Sequence, residues 1–189
     1  MLYPIVGTYK GKSAQGMAIW KDRAYLFSDG GHCRVIDLNT GLKTCEFDLA
    51  SSNKKPHINN ACFGIEVEDS MSEPVIYISE TNSPHRCYVE SLNGNKPVLV
   101  QTIDAKINGK VVGNNNWIVD REKGELYGID RKWGQFLDDQ GNVKNIITRY
   151  RLPKLSEGEY ITLTEKDVID KFEIVFANGM VSVRTLDKA

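Results

Sequence analysis

The chain has 189 residues, with 24 Lys and Arg against 25 Asp and Glu for a formal charge of −1. That balance argues against a dedicated nucleic-acid binder, which carries a basic excess or stripe. A composition of 41% hydrophobic and 26% charged residues is that of a folded, soluble domain, and no apolar run approaches the ~18–20 residues of a membrane span.

The N-terminal run Met1 to Gly7 has neither the charged start nor the apolar stretch of a secretory signal, so a cytoplasmic protein is expected. The first strand-like segment is Met17 to Trp20, followed by the alternating Arg23 to Asp29. Cys33 to Asn39 and Lys43 to Leu49 follow, separated by the Thr40-Gly41 turn. The pattern then repeats. Phe63 to Val67, Pro74 to Glu80, Cys87 to Asn93 and Pro97 to Ile103 make a second set, and Trp117 to Asp120 and Glu125 to Asp130 open a third. Ala24, Val75 and Leu126 stand 51 residues apart, and Cys-x-Val-x-x-Leu-Asn recurs at Cys33 and Cys87 with an offset of 54.

Each unit reads as a meander of four short antiparallel strands, and one meander cannot bury both of its faces. A period of about 40–50 residues with four strands per unit is the mark of a β-propeller blade. The expected fold is therefore all-β: a β-propeller-like array of four-stranded antiparallel meander blades, three plus a partial fourth. As one domain over 1–189, the blades fall at about 14–50, 58–104, 112–152 and, in part, 160–189. A β-sandwich is the competing fold. The repeated cysteine is expected to face the next blade.

The third unit is less regular. Gly134 to Asn142 is a polar connection, Val143 to Arg151 a later strand, and Pro153 to Gly158 a linker. Thr164 to Asp170 predicts a helical turn, with Thr164 as N-cap and Asp167 three residues on. Phe172 to Phe176 and Met180 to Arg184, joined by Ala177-Asn178-Gly179, predict a hairpin in the fourth unit. Leu2 to Tyr9 is the segment that could pair with it and close the ring. Without closure, the open blade edges predict a homodimer.

The segments Ala14 to Ile19, His57 to Gly64, Trp117 to Asp120 and Leu152 to Gly158 resemble those of uncharacterised bacterial β-propeller proteins, over about residues 14–172. The resemblance implies the propeller fold and no assigned reaction. Members of that group continue into further blades, so this chain is expected to match part of a full-length member. Val35 to Gly41 is also similar to quinoprotein-type blades, but Cys45 stands in the neighbourhood where those repeats carry tryptophan, and no quinone cofactor is expected.

Polar residues precede each proposed inner strand: Gln15, Asn59 with Asn60, and Asn114 to Asn116. Amides donate and accept without carrying charge, which suits neutral polar ligands; they also satisfy turn backbone. Gln15, His57, Asn59, Asn60, Asn115 and Asn116 are the candidate ligand-binding residues. His85 and His32 read as turn residues. Asp29, Glu80 and Asp130 end equivalent strands, where an acidic side chain can close a turn. The four cysteines (33, 45, 62 and 87) and three histidines show no zinc spacing, so no metal and no cofactor is expected. Buried thiols are the simple reading, with a disulfide left open.

The functional expectation is a non-catalytic binding or interaction module for a small polar ligand or a protein partner. The alternative is an enzyme acting on a carbohydrate-like substrate, with His57, Glu80 and Asp130 as its residues. Two carboxylates converging across a cleft would favour the enzyme.

Overall fold

The computed structural model describes residues 15–66, 73–82, 84–130, 140 and 144–175. Leu2 to Tyr9 and Met180 to Arg184 lie outside them, as does most of the connection from Gly134 to Asn142.

The described chain is all-β and makes three mostly antiparallel sheets. The first is a meander of β1 (Gly16–Trp20), β2 (Arg23–Phe27), β3 (His32–Asp37) and β4 (Lys43–Asp48). The middle sheet begins as the same meander, from β5 (Ile58–Phe63) through β6 (Ile76–Glu80) and β7 (Cys87–Ser91) to β8 (Val98–Ile107). The end of β8 folds back as β9 (Lys110–Val111) through an Asn108-Gly109 turn in which both residues have positive φ, the tight hairpin this dipeptide favours. The third sheet holds β10 (Asn114–Asp120), β11 (Glu125–Asp130) and β12 (Lys144–Arg151).

The last two strands differ from expectation. Residues 160–175 do not build a sheet of their own. Instead β13 (Tyr160–Leu163) joins the middle sheet, parallel to Thr102–Ala105 of β8, and β14 (Val168–Val175) completes the third sheet against β12. A free outer edge of unpaired N–H and C=O groups stood open on each sheet, and pairing with an existing edge satisfies them without a new core. The predicted helical turn is a single 3-10 turn, Glu165–Asp167, with the Thr164/Asp167 capping box in place. It stops at Asp167, where β14 takes over.

Strand β5 also begins earlier than expected. It takes in Asn59 and Asn60, just as β10 takes in Asn114 to Asn116. Asparagine is a poor strand former, so pattern alone places these residues in loops.

The core lies in two layers. Phe27, Val35 and Phe47 of the first sheet meet Ile58, Phe63, Ile76 and Ile78 of the middle one. On the other side Val75, Tyr77, Val89 and Ile103 of the middle sheet meet Trp117, Leu126 and Tyr150 of the third. Being covered on both faces, β6 and β7 are buried at every position and lose the in–out alternation of a half-exposed strand. Cys33 packs in the first layer and Cys87 in the second. All four cysteines are thiols, and burial pushes that of Cys62 up to about 12.

The register corrects the sequence spacing by one residue. Ile76 pairs with Phe63, and Leu126 with Val119; each partner lies four residues beyond the extra residue of a bulge in its strand. The counterpart of Leu126 is therefore Ile76, not Val75. A slip of one residue exchanges the two faces of a strand, and Val75 indeed faces the third sheet whereas Ile76 faces the first.

Candidate functional site

The polar residues of the inner strands are β-bulges. In β5, Ile58 pairs with Glu80 and Asn60 with Ser79, which leaves Asn59 as the extra residue. In β10, Asn114 pairs with Asp130 and Asn116 with Ile129, leaving Asn115. The two bulges meet: Asn59 Nδ2 donates to the Asn115 carbonyl at 3.0 Å. Gly16 brings β1 against the same place, since a Cβ there would lie 3.1 Å from the Asn60 carbonyl carbon. Gln15 is exposed, and its N–H donates to the Phe27 carbonyl at 2.8 Å. Asn60 and Asn115 are half-buried and Asn116 is buried. The structure thus brings Gln15, Asn59, Asn60, Asn115 and Asn116 into one ridge, in which the Asn59 amide ties neighbouring sheets together. Ser79 reinforces the tie, accepting from Trp117 N–H at 2.8 Å and donating to its carbonyl at 3.3 Å.

His57 stands apart from the ridge amides. Its ring, half exposed, pairs with Asp29. His32 pairs with Asp48 at 2.8 Å.

The acidic strand ends hold matching places, because Glu80 and Asp130 each pair with the residue just before the bulge. Both are buried. Their surroundings differ. Glu80 accepts the Asn82 N–H at 2.6 Å and closes its own turn. Asp130 faces the seam between the middle and third sheets. Its Oδ1 lies 3.4 Å from the point where a Gly113 Cβ would stand, and His85 Nε2 lies 3.6 Å from that same point. His85 has φ +62°, a left-handed conformation that costs most side chains energy. Trp117 Nε1 donates to its carbonyl at 3.2 Å and fixes the loop. Burial lowers the pKa of the imidazole, against the opposing pull of Glu80 and Asp130.

Beside Asp130 the seam opens into a cavity of about 250 Å³. Ile107, Val111, Val112 and Ile146 give it an apolar wall. Its polar lining is Asp130, Thr148, Asn108, Lys110 and Lys171. Gly128 keeps the neighbouring space open for Asn114, whose side-chain oxygen would lie 2.5 Å from any Cβ there. Glu165 accepts the Asn108 N–H and holds the tip of the β8–β9 hairpin, which forms one side of the cavity.

Sequence reasoning reached Asp130 through its repeated strand-end position. It did not reach His85, Thr148, Lys110 or Lys171. No motif joins them: strand pairing sets Thr148 opposite Lys171, and the packing of the β8–β9 hairpin against the third sheet adds Lys110. Among the described residues no three His, Cys, Asp or Glu side chains gather as a metal site, and no helix is long and apolar enough to cross a membrane.

No protein-family model matches the chain, and no curated protein does either. Solved structures give distant likenesses. The computationally designed Ika4 protein aligns at 12% identity and a TM-score of 0.41, over 93% of this chain and 98% of that one. A europium-containing methanol dehydrogenase aligns at 14% and 0.39, covering 78% of this chain. The WD40 domain of SCAP from fission yeast aligns at 11% and 0.34, over 89%. The chain spans 31% and 42% of the length of the last two. Likenesses this distant carry neither a closed-ring assignment nor an activity.

Proposed function

We propose that the chain is a propeller-like array whose blades are the three meanders, and that it acts as a non-catalytic binding module for a small polar ligand at the groove beside Asp130. One observation carries the reading: Asp130, a carboxylate that is 8% exposed, forms part of a cavity lining. Buried charge is costly to hold, and a bound partner can share that cost. The ridge of Gln15, Asn59, Asn60, Asn115 and Asn116 supports the groove by fixing the strand ends around it. Amide chemical-shift mapping of the whole chain against a set of small polar metabolites tests this. Shifts centred on Val112, Asp130 and Thr148 are expected; shifts confined to the ridge, or none, would refute it.

Of the residues expected for an enzyme, His57 directs its ring to Asp29, and the imidazole that feels both Glu80 and Asp130 is instead that of His85. Glu80 closes its own turn and does not line the cavity, so the two carboxylates do not oppose each other across an open cleft as a glycosidase pair would. That geometry favours binding over hydrolysis. Turnover of aryl glycosides that disappears in Asp130→Asn would reverse the preference.

A homodimer remains part of the same reading. The outer strands β4 and β14 have no further partner among the described residues, and light scattering across a concentration series reads whether they pair between copies.

A further inference from the structure

We infer that the β8–β9 hairpin is a flap over the groove and that the Glu165 carboxylate is the latch that holds it shut; this rests on the binding reading above and adds how the groove is entered. Of the nine residues around the cavity, five (Ile107, Asn108, Lys110, Val111 and Val112) belong to this hairpin. The facing wall is the inner side of the third sheet. There Asp130 stands opposite Ile146 with Glu173 beyond it, and Thr148 stands opposite Lys171. That wall lies on strands bonded side by side, β11 to β12 and β12 to β14.

The hairpin is built more lightly. Its base is fixed: Ala105 and Val112 are buried, and the Val112 N–H donates to the Ala105 carbonyl at 2.9 Å. Beyond the base only two residue pairs join the arms, Lys106 with Val111 and Ile107 with Lys110. Among the described residues β9 has no strand on its other side, and a two-stranded ribbon of this size has little stability of its own. Within 106–111 only Ile107 is half-buried and the rest are exposed. A Cβ on Gly109 would meet nothing within 4 Å, so the tip has room to move.

One side chain from outside the hairpin ties the tip down. Glu165, in the turn before β14, accepts the Asn108 N–H. That N–H comes first among the groups holding the Glu165 carboxyl below its ordinary range, with Lys171 a lesser one. The turn itself is anchored elsewhere: Asp167 accepts the Thr164 N–H at 2.8 Å and pairs with Arg151 at 2.5 Å. The latch is thus mounted on a fixed support, and the hairpin is the part that swings. Breaking one charge-assisted hydrogen bond frees the tip while the base stays closed, so the two arrangements lie close in free energy. A molecule in the groove is held by the wall and the flap together, and the latch governs how fast it enters and leaves.

The test uses the intact chain without ligand. In Glu165→Ala, amide exchange should speed about three- to tenfold at Asn108, and stay unchanged at Val112 and at Ile161 to Leu163. Glu165→Gln keeps an accepting oxygen without the charge and should fall between the two. In the wild-type chain, relaxation dispersion should give Asn108, Gly109 and Thr148, across the groove, one shared exchange rate, and Glu165→Ala should enlarge its open population. Dispersion confined to the tip, with Thr148 silent, would reduce the motion to fraying and overturn the flap. Faster exchange that spreads to Ile161 to Leu163 would mean that the turn had come loose, and would overturn the latch. Neither measurement needs a bound molecule, so a groove that takes no polar metabolite refutes the binding reading alone.

Discussion

The two seams of this molecule are built from the same repeat and finished differently. Between the first and middle sheets the packing is mainly aromatic and aliphatic: Phe63 meets Tyr25 edge-on at 5.0 Å and Trp20 at 5.9 Å, with the Arg121 guanidinium over the Trp20 ring at 4.5 Å. A buried carboxylate at the outer side of that seam, Glu90, is consumed by structure, accepting both Ala50 and Ser51 N–H at 2.8 Å. Between the middle and third sheets Trp117 meets Tyr150 at 5.8 Å, but the seam then turns polar through Asn114, Thr148 and Asp130, and it holds the cavity. A repeated scaffold can fill one seam with aromatic and aliphatic side chains and let the next turn polar around a cavity.

The contrast can be broken at several points. The largest expected effect is at the dry seam. Phe63→Ala should cost about 3–5 kcal/mol in urea unfolding, as large aromatic truncations in a filled core do, and should leave ligand shifts in the groove unchanged in position. A loss below about 1 kcal/mol would mean that this seam is not the stabilising one.

Glu90→Leu comes next, at about 1–3 kcal/mol, because a hydrocarbon accepts from neither the Ala50 nor the Ser51 N–H. The pH dependence has a definite sign. Burial raises the Glu90 pKa above its ordinary 4.5, so the folded state holds the proton more tightly than the unfolded chain. The wild-type protein then loses stability from this group as pH rises from 4.5 through the folded pKa, and the variant does not. The gap between them should narrow from pH 4 to pH 7, and a gap that widens would contradict the assignment.

Tyr160→Phe removes the 2.7 Å hydrogen bond from Tyr160 to Asp104 that fastens β13 to the middle sheet. About 1 kcal/mol should be lost, read as faster amide exchange at Thr102 to Ala105. The smallest effect is at His85. Its lowered pKa means that its contribution is intact above 6.5 and fades as pH falls from there through the folded value. His85→Asn keeps a residue tolerant of positive φ and should flatten that part of the pH–stability curve. An unchanged acid limb would place the imidazole outside the polar seam.

Much of this architecture was readable beforehand, for physical reasons. Strands such as Arg23–Phe27 and Ile76–Glu80 are rich in aromatic and β-branched residues, and the Thr164/Asp167 box is a local interaction that needs no tertiary partner. The matching roles of Glu80 and Asp130 were visible as strand ends. Tyr160–Leu163 was read as the start of a new unit because alternation says that a segment is extended and nothing about which edge it will meet. The groove was less legible still. Lys110, Thr148 and Lys171 come from three different strands, and His85 reads as a turn residue with nothing nearby to say that it will meet Asp130.

The route from Arg151 to Val168 has a kinetic meaning as well. The chain leaves the third sheet, lays a parallel strand on the middle one, and returns to finish the third. Among the described residues the first sheet takes all four of its strands by Asp48, so these pairings are between neighbours in sequence and can form early. The other two sheets are stitched across one another and must reach their final width together, late, through contacts of long sequence separation that are slow to close. Native-state hydrogen exchange should then resolve the domain into one unit that opens alone and a pair that opens as one. A protease cut between Glu157 and Tyr160 would loosen both members of that pair at a single stroke.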